Sequence, residues 1–245
     1  MKTNLSVNLN KVALLRNQRP SGYPDVLAIA RVVIDAGADG LTVHPRPDGR
    51  HIRYSDVRDL HDLIARDCVR SVEFNVEGYP SPEFLNLVLS LRPTQVTLVP
   101  DESDQLTSDH GWDLEEEAGR LEPVVASLAA AGIRVSLFIE PNRRAIPAVK
   151  DIGAHRIELF TGPYARAFEA ETHADVLAEY RSTAESALDF GLAINAGHDL
   201  TLGNLPVFKA SIPMLAEVSI GQAITADALR LGFPQAVRAY LAAVA

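Results

Sequence analysis

Cysteine is almost absent from this chain: among 245 residues only Cys68 carries a thiol. One thiol can form neither an intrachain disulfide nor a cysteine-based zinc cluster, which fits a reducing cytoplasm. Long apolar runs are missing too. The longest mostly apolar stretch, 123–133, reaches about half of the roughly 20 residues that a membrane helix needs. The first ten residues hold a single lysine and alternating polar positions, so a secretory signal is not expected and the chain reads as mature and soluble. Positive charge is in deficit, with 23 Lys and Arg against 32 Asp and Glu and a net charge of -9. Such a surface repels polyphosphate backbones and anionic membranes, which excludes nucleic acid and lipid as general partners. Any small anionic ligand must therefore be met by local positive groups. Finally, neither GxGxxG nor GxxxxGK[ST] occurs, so the common glycine-rich nucleotide signatures are lacking.

What is present is apolar mass for a full core, 47% hydrophobic residues, arranged in a repeating pattern. Short β-like runs at 5–10, 40–45, 71–77, 95–100, 134–140, 156–162, 193–198 and 217–224 alternate with helical stretches. The main helical stretches are 24–36, 55–67, 81–91, 114–131, 142–152, 173–190, 204–210 and 225–244. Ser55 and Ser81 stand at helix starts as N-cap residues, the second followed by Pro82. Gly37, Gly132, Gly153 and Gly191 stand at helix stops. No Gly/Pro/Ser-rich linker interrupts the alternation, which predicts one domain over 1–245. Eight βα units in about 250 residues predict an α/β fold of the (β/α)8 TIM-barrel type rather than an open doubly wound sheet.

Side-chain parity carries the functional signal, because successive residues of a strand point to opposite faces. Asn8 and Asn10 share a face opposite Val7 and Leu9; Thr42 and His44 oppose Leu41 and Val43. Glu73, Asn75 and Glu77 oppose Val72, Phe74 and Val76, and Glu158 opposes Ile157 and Leu159. If the apolar parity meets the helices, the polar parity fills the barrel, where each unpaired polar group costs about 1–3 kcal/mol. Four strands repeating this pattern predict a shared site, placed by the barrel rule at the carboxyl ends of the strands, where His44 and His198 fall. Gly221 and Gln222 after the eighth strand, and Gly197 to Asp199 after the seventh, fit the usual phosphate site of barrels. Lys11, Arg16, Arg19, Arg46 and Arg50 cluster after the first two strands and could meet a second anion. The stretch 99–113 is long for a βα loop and is a candidate lid.

These residues resemble the pyridoxine 5'-phosphate synthase family, barrel enzymes that close the vitamin B6 ring. The resemblance extends from Val7 to the last helix. It rests on Val7-Asn8-Leu9-Asn10-Lys11 with Leu15-Arg16-Asn17, on Thr42-Val43-His44-Pro45-Arg46-Pro47-Asp48 with Arg50-His51-Ile52, and on Glu73. Leu98-Val99-Pro100, Ile157-Glu158, Asn195-Ala196-Gly197-His198 and Ile220-Gly221 complete it in family order.

The resemblance implies condensation of 1-deoxy-D-xylulose 5-phosphate with 3-amino-2-oxopropyl phosphate to pyridoxine 5'-phosphate, phosphate and water, without metal or organic cofactor. It implies His44 and Glu73 as proton acceptors, His198 as proton donor and Glu158 as transition-state stabiliser. Asn8, Arg19, Asp199, Gly221 and Gln222 correspond to contacts of the aminoketone phosphate; Asn10, Lys11, Arg46, His51 and Thr107 correspond to contacts of the deoxyxylulose phosphate. A homo-oligomer, an octamer, is implied as well. The chain departs from the best-known members at Asn10-Lys11, where they have Asp-His, at Asp199, where they have Gly, and at Gln222, where they have His. Two other readings of the same residues stay open. One is a metal-dependent phosphosugar epimerase with His44, Glu73 and His198 as ligands; the other is a barrel that binds phosphate without catalysis, motivated by Asp199 and Gln222.

Overall fold

The computed structural model describes residues 2–101 and 108–245. Eight parallel strands close into a barrel in sequence order: β1 (Asn4–Asn8), β2 (Gly40–Val43), β3 (Glu73–Gly78), β4 (Gln95–Leu98), β5 (Arg134–Ile139), β6 (Arg156–Leu159), β7 (Ala193–Gly197) and β8 (Leu215–Ile220), with β8 returning to pair with β1. The helices are α1 (Asn10–Asn17), α2 (Val26–Asp35), α3 (Tyr54–Asp67), α4 (Pro82–Leu91), α5 (Leu114–Ala130), α6 (Ile146–Asp151), α7 (Gly162–Glu169), α8 (His173–Asp189), α9 (Leu205–Ser211), α10 (Gln222–Leu231) and α11 (Phe233–Ala243). Among the described residues, none of them is long and apolar enough to cross a membrane.

Local chemistry accounts for most of these boundaries. The Ser81 hydroxyl accepts the Phe84 amide at 3.2 Å, with Pro82 opening α4. The four glycines read as helix stops all adopt positive φ, between 72° and 110°. Ser55 is not a cap. α3 begins at Tyr54, and Asp56 reaches back to accept the Arg53 amide at 2.7 Å. The expected strand 156–162 ends at Leu159, because Gly162-Pro163 opens α7. The expected final helix 225–244 is two helices, broken at Gly232 with φ 76° and restarted by Phe233-Pro234. An unexpected helix, α1, starts at Asn10, so Asn10 and Lys11 leave β1 on a helical turn rather than on the strand.

The parity argument describes the barrel wall. Leu5, Val7, Leu41, Val43, Phe74, Val76, Leu137, Ile157 and Val218 are buried in one apolar cluster together with Val33, Leu60, Leu87, Val125 and Tyr240 of the surrounding helices. Each such side chain removed from water contributes about 1.5–3 kcal/mol. The other parity is polar. Ser6, Thr42, Asn75, Gln95, Thr97, Ser136, Asn195, Glu217 and Ser219 are all buried, where most barrels place branched aliphatic side chains. Asn195 on β7 donates to Gln95 on β4 at 3.4 Å, a bond between non-adjacent strands that crosses the barrel interior.

Candidate active site

At the carboxyl end of the barrel the strands and their following turns enclose a cavity of about 300 Å³. Eleven of the fourteen residues singled out from the sequence line it: Asn8, Asn10, Lys11, His44, Arg46, His51, Glu158, His198, Asp199, Gly221 and Gln222. Thr107 lies outside the described residues. Arg19 is exposed just beyond α1 and does not line the cavity.

Glu73 does not line the cavity. It is the first residue of β3, at the amino end, paired in register with Gly40 and bonded to Arg134. The cavity is instead lined by Glu77, one position from the carboxyl end of the same strand. Both share the inward parity, so parity alone could not separate them. Strand polarity could: four residues at about 3.3 Å each put them roughly 13 Å apart, and only the later one reaches the functional end. The epimerase ligand set loses the same member, since Glu73 cannot meet His44 and His198 from the opposite end. Among the described residues no three His, Cys, Asp or Glu side chains gather in a metal-holding group.

The first strand and α1 act as brackets. Asn8 Nδ2 donates to Glu77 Oε2 at 3.4 Å, and Asn8 Oδ1 accepts the Asn10 amide at 3.0 Å. Asn10 Oδ1 accepts the His44 amide at 2.9 Å, tying the start of α1 to the end of β2. Arg16 and Asn17 then hold the segment after His44. Arg16 pairs with Asp56 and donates to the His51 carbonyl at 3.2 Å. Asn17 Nδ2 lies within 3.1 Å of the carbonyls of Gly49, Arg50 and His51. The Leu15-Arg16-Asn17 motif therefore serves the site by fixing the backbone that carries His51.

Electrostatics divide the cavity into two walls. On one, His44 lies among cations: burial, with Arg46, His51 and Arg50 nearby, pushes its imidazole well below the ordinary value. Burial beside Arg46 and Lys11 lowers His51 to about 4. Both rings are neutral at physiological pH, able to accept a proton. Arg46 pairs with the buried Asp101, which also accepts from the Ser108 hydroxyl at 2.7 Å and lies 4.0 Å from His44 Nδ1. Asp101 was not among the residues singled out for a role; its place three residues past the carboxyl end of β4 was the available signal.

On the other wall, among the described residues, no arginine or lysine pairs with Glu77 or Glu158. Burial and the neighbouring Glu158 push Glu77 well above the ordinary carboxyl value. Burial lifts Glu158 to about 7, against the opposing pull of the Thr97 hydroxyl 3.3 Å away and of His198. His198 stands edge-on to Phe160 at 5.9 Å, and its Nδ1 is 2.9 Å from Asp199 Oδ2. Beside this wall, Gly221 is the N-cap of α10 and Gln222 its first residue, so the amide end of a ten-residue helix opens on the cavity. A Cβ at Gly221 would lie 3.2 Å from the Asn8 side chain, a spacing that favours glycine there.

The cavity thus joins titratable groups, His44, His51, Glu77 and Glu158 among them of shifted acidity, to two edges of positive character, Lys11 with Arg46 on one side and the α10 start on the other. The fold resembles tryptophan synthase from M. tuberculosis, TM-score 0.64 at 12% identity over 100% of this chain and 94% of that one. It also resembles phosphoribosyl anthranilate isomerase from Thermus thermophilus, TM-score 0.60 at 14% identity over 98% of both. At such identities only the barrel is shared. In sequence, the chain is 52% identical over 246 residues to the pyridoxine 5'-phosphate synthase of Chelativorans sp. (strain BNC1), covering 99% of each. It is 51% identical over 251 residues to that of Brucella abortus (strain S19), covering 100% of each. The model of the pyridoxal phosphate biosynthesis protein PdxJ family matches residues 5–245, and the chain belongs to that family.

Proposed function

We propose that this protein is a pyridoxine 5'-phosphate synthase, condensing 1-deoxy-D-xylulose 5-phosphate with 3-amino-2-oxopropyl phosphate to pyridoxine 5'-phosphate, phosphate and water. The single observation that carries this reading beyond family membership is the convergence of His44, Glu77, Glu158 and His198 on one cavity edged by two anion-attracting regions. Imine formation, dehydration and ring closure consist mainly of proton transfers, which require groups that exchange protons near neutrality. His44, held neutral, accepts protons on the cationic wall. Glu77 takes the acceptor role first given to Glu73, and His198 donates on the opposite side. Glu158, with its carboxyl near 7, stabilises positive charge developing on nitrogen.

Arg46, Lys11 and His51, with Asn10, suit the phosphate of the deoxyxylulose substrate. The α10 start at Gly221 and Gln222, with Asn8, suits the aminoketone phosphate. The amine comes from the substrate, so no enzyme lysine need form a Schiff base. Lys11 is the only lysine that lines the cavity; the Lys2 ammonium pairs with Asp39, and that of Lys209 bonds the Pro213 carbonyl. A homo-oligomer, an octamer, and a cytoplasmic setting belong to the same proposal; light scattering tests the first.

Incubating purified protein with both phosphates should release pyridoxine 5'-phosphate, detected by mass and ultraviolet absorbance. Absence of product with verified substrates overturns the assignment. Activity should persist after chelation, whereas dependence on an added divalent metal would favour the epimerase class. His44→Asn, which keeps a polar side chain of similar reach, should lower kcat about 10²–10⁴-fold with the fold intact by circular dichroism.

A further inference from the structure

Asp199 stands where its side chain would face a phosphate, an awkward place for a carboxylate. The structure gives it another partner. Its Oδ2 is 2.9 Å from His198 Nδ1, and that hydrogen bond holds the Asp199 carboxyl below its ordinary value, with Arg166 a further positive neighbour. We propose that Asp199 is a positioning residue for His198, accepting the Nδ1 proton so that the imidazole exchanges protons through Nε2. This rests on the reading of His198 as the proton donor of the reaction.

The turn that carries the pair is built to keep it in register. His198 has φ 42°, the left-handed region that non-glycine residues rarely adopt, so the backbone there must be held by its surroundings. Buried side chains do so from both sides. The Thr161 hydroxyl donates to the Gly197 carbonyl at 2.6 Å. Asn204 Nδ2 donates to the Asp199 carbonyl at 3.2 Å, while its Oδ1 accepts the Thr201 amide at 2.7 Å. Tyr164 anchors Asn204 in turn, its hydroxyl donating to the Asn204 carbonyl at 2.7 Å. Gly197 lies so close to β8 that a Cβ would sit 2.3 Å from the Ser219 carbonyl oxygen. The left-handed residue, the close strand approach and the three bonded side chains together aim adjacent side chains at each other. Neighbouring residues in extended backbone would point apart.

An Asp–His pair of this kind selects one tautomer of the neutral ring, with the proton on Nδ1. Long-range proton–nitrogen spectra of histidine-labelled protein, with His198→Gln assigning the resonance, read that tautomer in the ligand-free state. The wild type should show Nδ1 protonated. Asp199→Gly and Asp199→Ala should each show a mixture, with kcat lowered about tenfold and KM for either phosphorylated substrate changed less than about threefold. An unchanged tautomer in both variants overturns the proposal, as does a changed tautomer with kcat intact. A raised KM with unaltered kcat makes Asp199 a phosphate contact and overturns it equally. The tautomer is read without turnover, so failure of the wild type to form pyridoxine 5'-phosphate counts against the assigned reaction alone.

Discussion

The two ends of β3 carry the same residue type on the same inward face and set it in different surroundings. At the amino end, Glu73 bonds Arg134, Arg134 Nε donates to Gln95 at 2.9 Å, and Arg156 donates to Asn195 at 3.0 Å with Glu217 at 3.5 Å. Each carboxylate there meets a guanidinium two strands away, Glu73 of β3 with Arg134 of β5 and Glu217 of β8 with Arg156 of β6. At the carboxyl end, among the described residues, no guanidinium bonds Glu77 or Glu158, and burial holds both above the ordinary carboxyl value; burial lifts Glu217 likewise, to about 8, against the pull of Arg156, so the contrast is between Glu73 and Glu77. The difference teaches that a glutamate in this lumen takes its role from what faces it. Glu73 and Glu77 lie on one strand and one face; the first is an ion-pair member, and in the proposed function the second exchanges protons.

The most forceful attempt to break that contrast exchanges the roles. Glu77→Gln should lower kcat/KM about 10²–10⁴-fold without loss of the folded state, while Glu73→Gln leaves turnover close to wild type. Parallel steady-state kinetics on both variants decide it, and equal losses would erase the distinction between the two ends.

A second test uses pH. Between the ordinary carboxyl value near 4.5 and about 7, folded protein retains a proton on Glu158 that the unfolded chain has released. Proton binding is therefore greater in the native state, and this group makes stability fall as pH rises through that window. Glu158→Gln does not titrate. It should be more stable than wild type by up to about 3 kcal/mol at pH 7 and lose that advantage by pH 4. Urea unfolding at the two pH values measures it; a constant difference would place the Glu158 carboxyl in an ordinary environment.

The smallest expected effect sharpens the amino end. Glu73→Gln leaves the partly buried Arg134 without its carboxylate and should cost about 1–2 kcal/mol in urea unfolding. Adding Arg134→Met should recover part of that loss, because the orphaned charge goes with it.

Much of this was legible in the residues. The outward strand positions, such as Val7, Val43 and Leu159, announced the wall by alternation, and Asn8, His44 and Glu158 announced a polar lumen. The helix stops at Gly37 and Gly191 followed from local backbone preference. Less legible were α1, whose short segment follows β1 without a turn signal, and the break at Gly232, where one amphipathic pattern runs across two helices. Glu73 shows where pattern reading stops. Parity is blind to position along a strand and treats Glu73 and Glu77 alike; the role of Glu73 is implied by the resemblance alone, and the fold sets that residue at the amino end of β3. Asp199 shows another limit: its alignment with a phosphate contact said nothing of the imidazole beside it.

The sequence by itself determined the alternation of strands and helices, the apolar wall, and the set of polar side chains turned inward, because each follows from local periodicity and backbone preference. Tertiary structure alone decided which inward glutamate meets a guanidinium. Glu73 and Arg134 are 61 residues apart and become partners only when β3, β4 and β5 align in register. Burial and Coulomb interaction depend on distance through space, and closing the barrel is what sets those distances.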